Sequence, residues 1–333
     1  MAGIRTAING LLVPVVGRLP HRAVLKVCEL YLRSNTGRHL AQDLLRLEFH
    51  LALAEDHRRR VAALIGNGRV HYFDIGARRG PPGYLRPYAQ WMDFTLCEPE
   101  PKEAARLRAM GYTVVEQAIA DVKGTATLHV TRSPGSSSLL HPLGRMRRFG
   151  TTDLSKVDIL EEVAVETTTI DHVAKELGIG FHFVKLDTQG SEPDIIKGMT
   201  ACRPLLIATE VSFEQIYRDQ ATFYQFSSEI VSRGYLLFQL HVPPVVRSPR
   251  TSRERSLGIP LHGDAFFMPN WNTALGRELI CADVRAYAAL MLIHGLEDVL
   301  RFVLSEIPVP GSEDVRSCLA MAARAGAPTA GGG

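Results

Sequence analysis

Val70-His71-Tyr72-Phe73-Asp74-Ile75-Gly76-Ala77-Arg78-Arg79-Gly80 is the stretch on which the fold turns. From Val70 to Ile75 the run is apolar except at His71 and Asp74, and rich in β-branched and aromatic residues. A short apolar run of this kind, closed by glycine, reads as a buried strand. Asp74 stands where that strand ends. Gly76 and Gly80 let the backbone turn tightly and come close to a ligand with no Cβ in the way. In an open α/β sheet, ligands bind just past the carboxyl ends of such strands. A Gly-x-x-x-Gly turn can equally be only a turn, so its meaning depends on the rest of the chain.

Downstream of it, strand-like and helix-like runs alternate. Strands are read at 70–75, 94–98, 113–119, 184–187, 205–211, 235–240 and 264–268, with helices between most of them, for example 101–110 and 213–233. This pattern predicts a mostly parallel sheet with helices on both faces. Between the third and fourth strands sits an interruption. Thr125 to Val130 reads as an extra strand, followed by the turn-rich Ser133-Pro134-Gly135-Ser136-Ser137-Ser138 and by Arg145-Met146-Arg147-Arg148-Phe149. An insertion over the carboxyl edge of the sheet would form a lid or an acceptor wall. His241 to His262 is a second long connection, carrying Arg247, Arg250, Arg253 and Arg255; it reads as anion recognition or as a mobile solvated loop.

The flanks are helical. Leu40, Leu44, Leu47, Leu51 and Ala54 make one apolar stripe, with the basic run Arg58-Arg59-Arg60 off it, so the N-terminal unit is a candidate dimerisation element of a homo-oligomer. Residues 1–20 read as a loose apolar terminus or as a segment touching a membrane surface. Residues 282–305 return to helix, and 322–333 should be disordered.

Composition bounds the function. With 333 residues, 46% hydrophobic and 22% charged, the chain is globular, and a net charge of +3 gives no argument for nucleic acid. Its five cysteines are scattered with no Cys-x-x-Cys, which argues against a disulfide scaffold and a zinc knuckle and fits a reducing, cytoplasmic setting. No apolar run approaches a membrane span, and no secretory signal is expected.

Glu98 closes the second strand, 22 residues after Gly76. An acidic residue there commonly accepts from both ribose hydroxyls of a nucleoside. Ile119 can pack on an adenine, and Asp121 either accepts from its amino group or serves the turn before Gly124. The turn Gly-Ala-Arg-Arg-Gly, followed by Pro81-Pro82-Gly83, lacks the third glycine of a dinucleotide fingerprint. It suits S-adenosylmethionine better, a ligand without phosphate. Val184-Lys185-Leu186-Asp187-Thr188-Gln189-Gly190-Ser191-Glu192 reads as strand, polar edge, glycine turn and helix start. Ser191 with Asp194 resembles a capping box, and Pro193 suits the first helical turn. Asp187 and Lys185 thus share one strand end, and Glu210 closes the next strand. No His-x-x-x-His or similar cluster suggests a metal.

Asp74-Ile75-Gly76-Ala77, Cys97-Glu98-Pro99, Val165 to Asp171, Val184 to Glu192 with Lys197-Gly198, and Ala208-Thr209-Glu210 together resemble the FkbM family of methyltransferases, from about residue 70 to 269. The resemblance implies a class I, Rossmann-like α/β sheet, mostly parallel with its last strand antiparallel. It implies a methyltransferase domain over 67–270 and says nothing of the flanks, which the residue pattern alone reads as helical extensions at 1–66 and 271–320 and a disordered tail at 321–333. S-adenosylmethionine would be the donor, and a hydroxyl of a sugar, glycolipid or polyketide-like molecule the acceptor. Asp74, Gly76, Ala77, Arg78, Gly80, Glu98, Ile119 and Asp121 would hold the donor. Asp187 would act as base or orient the hydroxyl, with Lys185 and Glu210 as neighbours and His172 a weaker candidate. Two positions depart from the family pattern. Arg78 stands where Asn is usual and could pair a methionine carboxylate, and Gln189 stands where Glu is frequent and cannot be a base. A nicotinamide-dependent oxidoreductase and a non-catalytic interaction module on the same sheet are the rival readings.

Overall fold

A computed structural model of the protein describes residues 58–78, 80–143, 154–242 and 260–325. The chain divides into two compact units, Met1–Arg60 and Val61–Gly333. The expectations for residues 1–20, for the Leu40–Ala54 stripe, for Arg145 to Phe149 and for the arginines at 247–255 lie outside the described residues.

The second unit is built on a seven-stranded sheet. β1 (Val70–Ile75) has β2 (Met92–Cys97) and then β3 (Thr113–Val115) on one side. On the other side lie β7 (Phe183–Leu186), β8 (Leu206–Ser212), β10 (His262–Pro269) and finally β9 (Tyr235–His241). β10 runs antiparallel to both neighbours, whereas the β1, β2, β3, β7 and β8 pairings are parallel. A parallel strand covered on both faces must be apolar throughout, which is why β1 reads as a continuous run rather than an alternation. Successive side chains point to opposite faces. Tyr72 therefore joins Phe183 and Met268 in one core, while Phe73 stacks on Phe181 at 4.5 Å in another with Val184 and Ile207.

Helix α1 (Pro101–Ala109) crosses from β2 to β3 and buries Ala104 and Leu107. The Phe73 face is covered by α2 (Ile170–Leu177), α3 (Glu192–Lys197) and α4 (Phe223–Ser232). The Tyr72 face is covered by residues C-terminal to the sheet, chiefly α5 (Ala274–Ala282), α6 (Val284–Ile293), α7 (Glu297–Glu306) and α8 (Ser312–Ala325). Eight of the ten α6 residues are buried. A helix apolar on all sides belongs inside a core, and these C-terminal helices complete the sheet's own core.

Several expected elements change on contact with tertiary structure. The run 113–119 is two strands: β3 stays in the large sheet, while β4 (Ala118–Ile119) joins a separate sheet with β5 (Gly124–Thr131) and β6 (Ile159–Thr168), in the order β4-β6-β5. The helix expected over 213–233 occupies only Phe223–Ser232. The one expected over 282–305 is α6 and α7, interrupted at Gly295, whose φ of +72° ends a helix at little cost. Residues 322–325, expected to be disordered, belong to α8.

Candidate active site

The carboxyl ends of β1, β2, β7 and β8 open on a cavity of about 850 Å³, walled on the far side by Ser133 to Leu139. This is the size and position of a small-molecule site in an α/β sheet. Among the described residues its lining carries six acidic side chains (Asp74, Glu98, Glu100, Glu103, Asp187 and Glu210), the last of which burial holds largely protonated, against three cations (Arg78, Arg106 and Lys185), so its field favours a positively charged ligand.

Gly76 makes the junction of β1 and β7 possible. Its φ is +87°, and a Cβ built on it would lie 2.0 Å from the carbonyl oxygen of Asp187. Gly76 and Ala77 both donate to the Cys97 carbonyl, and the Asp187 amide donates to the Ile75 carbonyl at 2.9 Å. Three strand ends are thereby locked together at one point.

Asp74 and Lys185 are register partners on β1 and β7. Lys185 Nζ donates to Asp74 Oδ1 and to Asp187 Oδ2, each at 3.1 Å. Tyr72 donates its hydroxyl to the other Asp74 oxygen at 3.0 Å. Asp74 is 1% exposed, and burial raises its pKa against the pull of Lys185. Burial would lower Lys185, but the charges of Asp74 and Asp187 outweigh it and hold the ammonium above its usual range. Both Asp74 oxygens are hydrogen-bonded within the protein, as are both Asp187 oxygens, and Asp74, Lys185 and Asp187 all line the cavity.

The loop after β7 is held from within. Glu192, almost fully buried, accepts from the Thr188 amide at 2.7 Å with one oxygen and from the Gly190 amide at 2.9 Å with the other. Burial raises its pKa. The capping box expected from Ser191 and Asp194 is absent: the Ser191 hydroxyl donates to Thr188 Oγ1 instead, and Glu192 satisfies the loop amides. Pro193 falls in the first helical turn as expected. Gln189 adopts a φ of +61°, uncommon for a residue with a Cβ. Its Nε2 donates to Asp187 Oδ1 at 3.1 Å and to Glu210 Oε2 at 2.5 Å.

At the other end of the cavity, Glu98 is 6% exposed and accepts from the Glu100 amide through Oε1. Its second oxygen has no hydrogen bond among the described residues. Burial raises its pKa, with Arg78 opposing. Arg78, expected to meet a carboxylate of the ligand, is paired with Glu100 at 2.5 Å. Ile119 is buried and lines the cavity beside Ala118. Asp121 is exposed, packs by its backbone against Gly198, and is not part of the lining. The break between β3 and β4 carries it away from the sheet edge. His172 pairs with Glu176 on its own helix, away from the site.

Glu210 is pushed up to about 9 by burial first and then by Asp187, Glu192 and Asp264. A carboxyl whose pKa is raised by folding contributes stability that is present below its ordinary value and lost as the pH rises through its folded one. Glu210→Gln is therefore expected to gain stability relative to the wild type between the ordinary carboxyl range and about 9. The gain should be on the order of 2 kcal/mol. Melting temperatures of both proteins across that pH window check it; parallel curves would contradict it.

Sequence reasoning missed Glu192, Tyr217 and Ser138. The spacing of Thr188 and Gly190 from Glu192 is the signal for the first. Tyr217 carried none, because it lies in a stretch read as helix.

The strand order, the antiparallel β10 and a cavity at the strand carboxyl ends define the class I methyltransferase fold. Residues 74–237 match the methyltransferase FkbM domain. No curated protein matches the chain. Among solved structures, magnesium protoporphyrin IX methyltransferase from Synechocystis, crystallised with S-adenosylmethionine, is 11% identical over 70% of this chain and 85% of its own, with a TM-score of 0.31. A variant of MtNAS in complex with S-adenosylmethionine is 11% identical over 77% of this chain and 76% of its own, at 0.29. The 1,6-didemethyltoxoflavin N1-methyltransferase of Burkholderia thailandensis, with S-adenosylhomocysteine, is 12% identical over 76% and 91%, at 0.28. Scores this low carry no argument about chemistry.

Proposed function

We propose that this protein transfers a methyl group from S-adenosylmethionine to a hydroxyl of a small-molecule, glycan or lipid acceptor. The observation that carries the reading is the acidic cavity at the strand ends, with the buried Glu98 at one extremity and the half-exposed Asp187 at the other. A sulfonium is a cation and suits this field; the pyrophosphate of a nicotinamide cofactor does not. A dinucleotide also needs an α-helix N-terminus after the first strand. Here β1 leads instead to the 3-10 helix Gly83–Trp91.

The residues fit the donor. Glu98 has one oxygen left to accept from ribose hydroxyls, Ile119 offers an apolar surface for the base, and Gly76 and Ala77 let the backbone come close. When bound, S-adenosylmethionine supplies an activated methyl group. The chain's own part is to align the acceptor oxygen and to take its proton. Asp187, 40% exposed at the cavity, takes that proton, and the Lys185 ammonium offsets its charge. Ser133 to Leu139 form the wall against which the acceptor is held.

Glu98→Gln keeps the shape and removes the charge. It is expected to weaken donor binding tenfold to a hundredfold, since hydrogen bonds to a charged group contribute about 1.5–3 kcal/mol. Dissociation constants measured by calorimetry test this; an unchanged constant would remove Glu98 from the site. The acceptor is sought by comparing extracts of cells with and without the gene for species that gain the mass of one methylene. No such species would count against the reaction.

A further inference from the structure

Gln189 is held at several points of the cavity. Its backbone is held in the left-handed region, its carbonyl accepts from Ser138 Oγ at 2.8 Å, and its Oε1 accepts from the Tyr217 hydroxyl at 3.2 Å. The same Tyr217 hydroxyl reaches the Ser136 carbonyl at 2.9 Å, so the cavity wall and the loop after β7 share one anchor. The one proton of that hydroxyl is shared between the Ser136 carbonyl and Gln189 Oε1, and Gln189 Nε2 faces two carboxyls at once, Asp187 and Glu210. A strained backbone that its surroundings over-determine points to function.

We infer that Gln189 is a positioning residue: its amide nitrogen fixes Asp187 and Glu210 side by side at the acceptor end, so that the two carboxyls meet the acceptor as a unit. The inference rests on the acceptor-end reading given above. An amide does this where a carboxylate would not, because it gives a donor to each neighbour and adds no charge. A carboxylate at 189 would place three acidic groups in contact.

Among the described residues, Asp187 and Lys185 face Glu210 from β7 and its loop, Glu192 from α3, and Tyr217 from the stretch before α4. Asp264, its register partner on β10, and His262, at 3.6 Å, lie beside it, with His241 of β9 next to Asp264. The carboxyls outweigh Lys185, and Glu210 sits at about 9. Glu210 therefore holds its proton to higher pH than an ordinary carboxyl.

The test is a ¹³C carboxyl NMR titration of the full chain labelled at glutamate, which needs neither donor nor acceptor. Its failure is thus separate from any failure of S-adenosylmethionine to bind. In the wild type, the glutamate resonance that disappears in Glu210→Gln should titrate near 9. In Gln189→Glu the protein should bind one more proton at neutral pH, seen as a second glutamate resonance titrating well above the ordinary range. A new glutamate with an ordinary midpoint, and Glu210 unmoved, would overturn the inference. Should that variant not fold, Gln189→Met removes the donor without adding charge. The Glu210 midpoint should then rise by about one unit or more, and an unmoved midpoint would overturn the inference equally.

Discussion

Gly76→Ala will unfold far more easily than the wild type and will not bind the donor. Two effects add. An alanine at a φ of +87° is strained by about 1–2 kcal/mol. Its Cβ would also stand 2.0 Å from the Asp187 carbonyl oxygen, which is backbone and cannot swing aside as a long side chain would. Relieving that clash means parting β1 from the β7 loop, with the loss of the Asp187 amide bond to Ile75. We expect a destabilisation of about 3–5 kcal/mol in all. Gly83→Ala is the control. Gly83 is exposed, and a Cβ there meets nothing within 4 Å, so its melting curve should overlay the wild type. A Gly76→Ala protein that melts with the wild type would show that the strand ends are not locked as described.

Lys185→Met should have the second largest effect. Methionine keeps most of the length and removes the charge. Asp74 would be left 1% exposed with Tyr72 alone to answer it, and breaking a buried pair by removing one partner costs about 3–5 kcal/mol. The loss should depend on pH. Asp74 is already raised by burial, and without Lys185 it would rise further, so the protonated form would be kept when folded. Stability tied to such a group is present at low pH and lost as pH climbs through the folded value. The gap between variant and wild type should therefore be small in acid and widest at neutral pH. Adding Asp74→Asn to Lys185→Met should recover part of the loss, since the orphaned charge is gone. Denaturant melts at two pH values decide this. A gap equal at both would mean that Lys185 contributes packing rather than charge.

Much of this architecture was legible in the chain. β1 could be read because a strand covered on both faces leaves an uninterrupted apolar signature. Glu98 and Asp187 were legible because each directly follows such a strand, whereas Glu210, read as closing its strand, lies within β8, which runs on to Ser212. Position along a strand, however, does not reveal what a side chain meets. Arg78 read as a partner for a ligand carboxylate; it lines the cavity and is paired there with Glu100. Asp121 read as continuing the third strand, yet two residues of that run leave for another sheet. Gln189 read as a lost base, whereas its amide joins two carboxyls that lie 2 and 21 residues away. The C-terminal helices read as an appendage because amphipathicity alone does not name the surface being covered. These are long-range facts, fixed by packing between segments that no local pattern connects.

If the acidic cavity at the strand ends holds a sulfonium nucleoside, the full chain must take up S-adenosylmethionine on its own, with no acceptor present. Isothermal titration measures that uptake most directly. One equivalent should bind, with the affinity falling at least tenfold in Glu98→Gln. A wild-type protein that releases no heat and shows no saturation would contradict the assignment outright.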